Sequence, residues 1–359
     1  MKTTRVAVVA MALALVLVSK SAYGRLQCMG EGGNAVDWWA AVKTPIESAS
    51  NDPNVATGTA YAYTDAVMNA KSLVLTGESL ATDKSSSLWS TLAQVYGSSQ
   101  NSVGYMMFND ETPSGAKSGT KAHQKGVVAF DGDGGFWLIH SVPRFPNTYA
   151  DGYEGFPANE DKYGQSFLCI SFSLSSINDV GALLYMSRPN VYDSNLPSSF
   201  NLPNIAAVIA GDYNSTAGYV VKTMTSVGGA QFTAFSKNRQ WDMDLYEDLV
   251  APTLGSDLYV ESWQNGVGKL PTYCRPQYPY NVYNIATMAV GTPSGGEIMW
   301  KETQDHSKWA VTVTDQFVCI GGINRQHGQR VRGGGTLCHN SPSLFAAFNS
   351  SIQTIEPCQ

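Results

Sequence analysis

Two stretches of the chain carry the clearest alternation of apolar and polar positions. Residues 126–146, GVVAFDGDGGFWLIHSVPRFP, set β-forming side chains on either side of a DGDGG turn, and Pro143 and Pro146 stop the second run. That pattern reads as strand, turn, strand. Residues 308–325, KWAVTVTDQFVCIGGINR, follow the same plan, with a turn near Asp315 and Gln316 and glycines ending the second run. A first strand is expected at 28–45 and a second at 58–65, where tyrosines alternate with small residues. Segments 88–97 and 343–355 space their apolar residues as helices do. Strands mixed with helices in both halves predict an α/β protein with large sheets.

The first 24 residues stand apart from that pattern. Lys2 and Arg5 precede an apolar run from Val6 to Val18, and Ala22 and Gly24 are small residues suited to a signal peptidase. This predicts a leader at 1–24 and a mature chain at 25–359, in the secretory pathway and either lysosomal or secreted. No other stretch is apolar for long enough to span a bilayer, so no membrane partner is expected. Cys28, Cys169, Cys274, Cys319, Cys338 and Cys358 all fall in the mature part. An even number in an oxidising compartment fits three disulfides, and spacing alone leaves fifteen pairings open. There is no Cys-x-x-Cys pair, and neither a zinc site nor another cofactor is expected. Asn214 in NST and Asn349 in NSS are glycosylation sequons.

Charge changes the picture only when pH is considered. Without Lys2, Arg5 and Lys20 the mature chain has 20 basic residues against 29 acidic ones, a formal −9. A nucleic-acid-binding protein is ordinarily basic. Below the sequence pI of about 5.4, however, carboxylates begin to protonate and the five histidines charge. A polyanion would be held best in acid.

The candidate chemistry lies in two triplets of one spacing, His123-x-Lys125 and His306-x-Lys308. In a strand, residues i and i+2 face the same side, so each triplet sets an imidazole beside an ammonium. The imidazole can act as nucleophile or proton donor, and the ammonium can hold phosphate oxygens. Two facing triplets suffice to break a phosphodiester without a metal. A single triplet recurs by chance, and a satisfied, partly buried histidine is the ordinary reading of His140 at a strand end. His327 and His339 are expected on surface loops. Trp38 and Trp39 read as core residues, and Arg325, Arg330 and Arg332 as a solvated basic loop, before either reads as a DNA contact.

Longer strings go beyond spacing. HQKGVVAFDGDGGFWLIHSVPRFP, DHSKWAV, GGINR and RGGGTLC resemble animal deoxyribonuclease II, as do DWWAAVKTP near the mature start and YGQSFLCISF at 163–172. The resemblance runs from Cys28 to Cys358. It implies a phospholipase D-like fold with two pseudo-symmetric lobes, about 25–190 and 191–359, mixed sheets flanked by helices, and one shared active site. It implies double-stranded DNA as substrate, cut without metal to 3′-phosphate and 5′-hydroxyl ends through a phosphohistidine. His306 with Lys308 and His123 with Lys125 would then be catalytic, His140 an orienting residue of the same site, and Asn324 of GGIN a substrate contact. The implied disulfides are Cys28–Cys169, Cys274–Cys358 and Cys319–Cys338, and a homodimer is among the assemblies left open. The chain departs from the phospholipase D pattern, because no Asp follows four residues after either lysine; Asp131 and Asp315 come late. The rival readings are a phospholipase D-like phosphodiesterase acting on lipid or RNA, and a secreted venom member of the family.

Overall fold

The computed structural model describes residues 25–272, 274 and 278–359. The expected leader at 1–24 lies outside the described residues. Eight strands, β1 (Trp38–Lys43), β2 (Ala60–Asp65), β3 (Leu75–Ser79), β4 (Gly104–Asn109), β5 (Lys125–Asp131), β6 (Gly134–His140), β7 (Gln165–Phe172) and β8 (Val191–Asn195), form one sheet in the order β3-β2-β1-β7-β6-β5-β4-β8. The second sheet takes β9 (Tyr219–Thr225), β10 (Gln231–Lys237), β11 (Leu258–Glu261), β12 (Val282–Gly291), β13 (Glu297–Lys301), β14 (Trp309–Thr312), β15 (Phe317–Gly321), β16 (Gly334–Asn340) and β17 (Ile352–Ile355). Its order is β13-β12-β11-β14-β15-β16-β10-β9, with β17 also on β12.

The α/β expectation holds, and of the mixed sheets expected, the second is mixed while the first is antiparallel throughout its described pairings. Every described pairing in the first sheet is antiparallel. Among the described residues, only strands β11 and β12 of the second sheet pair in parallel. The reason is local: most neighbours here are joined by hairpins or return connections, whereas a parallel pair needs a crossover.

Both faces of each sheet are covered, which is why several strands are apolar without a polar side. In β1, Trp38, Ala40 and Val42 face a central core, while Trp39 and Ala41 face an outer one. The central core lies between the sheets and includes the helix Leu174–Ser187, whose Ile177, Val180, Leu183 and Leu184 are buried there. The helix Pro342–Asn349 adds Leu344, Ala347 and Phe348 to the same core. Outside the first sheet packs the helix Ser87–Tyr96 through Leu88, Leu92 and Val95. Outside the second packs the helical run 246–254, through Tyr246, Leu249 and Val250.

The two expected hairpins are β5–β6 and β14–β15. The 28–45 strand is shorter than expected, since 28–37 contains a helical turn at Glu31–Gly33. The helix expected over 343–355 ends at Asn349; β17 follows, where Ile352 meets Met288 of β12. His339 is also corrected: it is a buried residue of β16, packed 4.5 Å from the Phe232 ring and 5.3 Å from Trp38. Disulfides join Cys28 to Cys169, Cys274 to Cys358 and Cys319 to Cys338. Asn349 is exposed and Asn214 half-buried in a turn. Among the described residues, no helix is long and apolar enough to cross a membrane.

Candidate active site

His123 and Lys125 stand where β5 begins, and His306 and Lys308 where β14 begins, so each sheet presents one triplet at a strand entrance. The two entrances meet. His123, Lys125, His306, Lys308 and Asn324 all line one cleft of about 170 Å³, together with Asp110, Glu111, Ser141, Pro143 and Trp263. That is the room of about five or six water molecules.

Main-chain contacts between the sheets fix this meeting. The His306 N–H donates to Gly164 O at 2.8 Å, and the His123 N–H to Gly333 O at 2.8 Å. Lys308 N–H donates to Ser166 Oγ at 3.2 Å. Gly322 of the GGIN turn lies against the first triplet so closely that a Cβ there would sit 2.7 Å from His123 O. Only glycine leaves the two triplets this near.

The imidazoles are held differently. His123 Nδ1 lies 2.6 Å from Gly322 O, an acceptor only, so Nδ1 carries a proton and donates it. Nε2 is therefore the ring atom free to gain or lose a proton, and it lies 3.9 Å from Asp110 Oδ2. The His306 ring stacks on Tyr163 at 4.3 Å and meets Trp263 edge-on at 4.2 Å. Burial pushes His123 down to about 3; Asp110 opposes that, while Lys125, Lys308 and Arg332 add to it. Burial pushes His306 down to about 2, and Lys308, Lys125 and His123 push the same way. Asp110 supports the charged form of His123, whereas the charges that weigh most on His306, those of Lys308, Lys125, His123 and Lys43, all disfavour its charged form.

Asp110 is the hub of the cleft. Its carboxylate receives Lys125 Nζ at 2.5 Å and Arg332 Nη2 at 3.1 Å. Burial alone would raise its pKa, but Lys125, His123 and Arg332 outweigh that and hold it well below the usual carboxylate range. Lys308 donates to His306 O. Burial and the nearby Lys125 bring its ammonium down to about 7. The second carboxylate of the cleft, Glu111, is taken up by Arg144 at 2.6 Å and Lys117 at 3.2 Å. In acid the cleft thus holds Lys125, Lys308 and Arg332 against Asp110, a net positive spot in a chain of negative formal charge.

His140 does not line the cleft. It is buried opposite Lys125 in the β5–β6 register, between Phe145 and Phe167. Neither ring nitrogen meets a partner at good hydrogen-bond distance and angle, although the Val142 main chain lies near enough to favour the charged form slightly. Burial, with Lys125 beside it, pushes its pKa down to about 3. Asn324 is buried with an unpartnered Oδ1. Asp131 lies at the far end of β5, accepting from the Leu26 N–H at 2.8 Å, and Asp315 lies in the β14–β15 turn, so neither belongs to the site. Trp38 and Trp39 are core residues, as read. The arginines divide: Arg325 is fully buried on Asn284, Arg330 reaches Asp242, and Arg332 joins the cleft through Asp110. Asp110, Tyr163 and Trp263 were not singled out from sequence. Tyr163 opens the YGQSFLCISF string, but Asp110 and Trp263 sit in segments with no motif of their own.

Known proteins share this chain almost end to end. Residues 27–358 match the family described as Deoxyribonuclease II. Plancitoxin-1 of Acanthaster planci is 36% identical over 341 residues, 93% of this chain and 92% of that protein. Deoxyribonuclease-2 of Caenorhabditis elegans is 35% identical over 377 residues, 96% and 97% respectively. Deoxyribonuclease-2-alpha of Rattus norvegicus is 34% identical over 344 residues, 93% and 95%. With the family match spanning nearly all described residues, the chain belongs to the deoxyribonuclease II family of hydrolases.

Proposed function

We propose that this protein is a metal-independent acid endonuclease on a phospholipase D-like scaffold, in which two lobes, roughly 25–190 and 191–359, each lend one His-x-Lys triplet. It cuts duplex DNA to 3′-phosphate and 5′-hydroxyl ends. The observation that carries this reading is the convergence of both triplets on one small cleft, with Asp110 beside the His123 imidazole.

The asymmetry assigns the roles. His306, whose charged form burial and the ammonium groups of Lys308 and Lys125 disfavour, is the neutral nucleophile. A nitrogen of its ring bonds to phosphorus while the bond from phosphorus to O5′ breaks. His123 Nε2, supported by Asp110, gives its proton to the departing O5′. The same nitrogen then takes a proton from water, whose oxygen bonds to phosphorus and breaks the phosphorus–nitrogen bond. Lys125 and Lys308 hold the non-bridging oxygens as charge builds there, and the Asn324 amide contacts the same phosphate. His140 acts from beneath, packed against the strand that carries Lys125.

Burial keeps both rings neutral at pH 5. The entering phosphodiester brings a negative charge that raises the pKa of both. His123, already facing Asp110, is the one that charges first. An imidazole donor works at or below its own pKa, which confines the enzyme to acid. The three disulfides suit an oxidising compartment of the secretory pathway.

Plasmid nicking at pH 5 in EDTA, followed by end-group analysis, tests the reading. Cleavage to 3′-phosphate ends that His306→Ala abolishes without unfolding the protein is expected. Loss of cleavage in EDTA, or full activity of His306→Ala, would overturn it. RNA and phosphatidylcholine in parallel separate a nuclease for DNA from a phosphodiesterase of other substrates.

A further inference from the structure

Two buried lysines outside the cleft occupy matching places in the two sheets. Lys43 is the last residue of β1 and Lys237 the last of β10. Lys43 pairs across to Gln165 at the start of β7, and Lys237 to Gly334 at the start of β16. Neither side chain is accessible to solvent. Each ammonium has three donors and each finds three main-chain carbonyls. Lys43 Nζ donates to Thr44 O at 2.9 Å, Gly58 O at 2.6 Å and Asp161 O at 2.8 Å. Lys237 Nζ donates to Gln329 O at 3.1 Å, Arg330 O at 2.8 Å and Arg332 O at 2.7 Å.

The loops so held reach across to the other sheet. The one on Lys43 continues into Tyr163, on which the His306 ring stacks, and Gly164, whose carbonyl receives the His306 N–H. The one on Lys237 contains Arg332, bonded to Asp110, and runs into Gly333, whose carbonyl receives the His123 N–H. Each sheet's lysine thereby supports the triplet that the opposite sheet contributes. Burying an ammonium is costly unless all its donors are used, so each site demands one loop path.

We propose that Lys43 and Lys237 are positioning residues for DNA cleavage, Lys43 aligning the His306 triplet and Lys237 aligning His123 with Asp110. The selectivity of this crossed arrangement rests on the roles assigned above to His306 and His123. Burial brings Lys43 down to about 7 and Lys237 to about 8, so both keep three donors at acid pH.

The test uses two substrates in the full chain: a DNA oligonucleotide, and the 4-nitrophenyl ester of thymidine 3′-phosphate, whose leaving group needs no proton. Because His123 also takes the proton from water in the second step, ester cleavage is read throughout as the first-turnover burst of 4-nitrophenolate; His123→Ala sets the reference, losing DNA cleavage while keeping most of that burst. Lys237→Met is expected to follow it, losing about 10- to 100-fold on DNA and far less on the ester. Arg332→Gln, which leaves the buried amine intact and cuts the same chain of contacts one link later, should give the same pattern if Lys237→Met folds poorly. Lys43→Met and Tyr163→Leu should lose both substrates together, because the nucleophile serves both. Equal losses on both substrates for Lys237→Met and Arg332→Gln, with His123→Ala still discriminating, would overturn the inference. A His123→Ala that loses both substrates equally would instead overturn the assignment of roles, and the selective half of the inference with it.

Discussion

Replacing Asp110 with Asn removes a charge and little volume, and the geometry says what should follow. The carboxylate lies 3.9 Å from His123 Nε2. At an effective dielectric of about 20 that separation is worth about 4 kcal/mol, or about three pKa units. Lys125 and Arg332 sit on the same carboxylate and screen part of it, so one to two units is the realistic shift, about 1.4–2.7 kcal/mol. The descending limb of kcat against pH should therefore move down by about one to two pH units. At a fixed pH on that limb, kcat should fall about 10- to 100-fold. KM should not rise, since Lys125 and Arg332 are released from their counter-ion and attract phosphate no less. Asp110, with its pKa held low, contributes stability above about pH 4 that is lost only as pH falls further, so the variant lacks it throughout the assay range. Thermal unfolding at pH 5 must therefore accompany the kinetics. An unmoved limb with the protein folded, or a raised KM at unchanged kcat, would refute the claim that Asp110 acts through His123.

Three other outcomes follow from the same geometry. Because Lys308 titrates near 7, its charge is present below that pH and lost above it, so KM for an oligonucleotide should climb as pH passes from 6 to 8; a flat KM would remove Lys308 from phosphate binding. Gly322→Ala places a Cβ 2.7 Å from His123 O and 3.0 Å from Gln124 Cα, both backbone atoms, and should cost about 1–3 kcal/mol in chemical denaturation while lowering kcat more than it changes KM. His140 stays neutral in the fold to about pH 3 but charges near 6.5 when unfolded, which costs the fold about 2 kcal/mol at pH 5 and little at pH 7.5. His140→Phe should therefore gain stability on the parent more at pH 5 than at pH 7.5, and an equal difference at both would refute the neutral burial of that ring.

What the sequence made legible was whatever repeats along one strand. The β5–β6 and β14–β15 hairpins and the matched spacing of His123-x-Lys125 and His306-x-Lys308 follow from alternation, which a strand writes directly into the order of residues. The meeting of the triplets was not legible that way, because it depends on 164, 322 and 333 supplying backbone from the opposite sheet. Asp110 escaped notice for the same reason: its neighbours in sequence are unremarkable, and its partners Lys125 and Arg332 are 15 and 222 residues away. Trp263 looks like any tryptophan until His306 is packed against it. His339 misled in the other direction, since its Gly- and Asn-bearing surroundings suggested a loop, whereas both faces of β16 are covered. The helix Leu174–Ser187, rich in serine and carrying Gly181, gave too weak an apolar stripe to be expected, yet it fills the space between the sheets. The disulfide pairing came with the family resemblance, since spacing left it open.

The account turns on a covalent bond between phosphorus and one imidazole. Rapid mixing of the enzyme with a short oligonucleotide at pH 5, quenched in alkali and digested for mass spectrometry, tests this directly. A 3′-phosphoryl nucleotide on His306, absent from His306→Ala, is the predicted result. An adduct on His123, or none at any time while product forms, would contradict it.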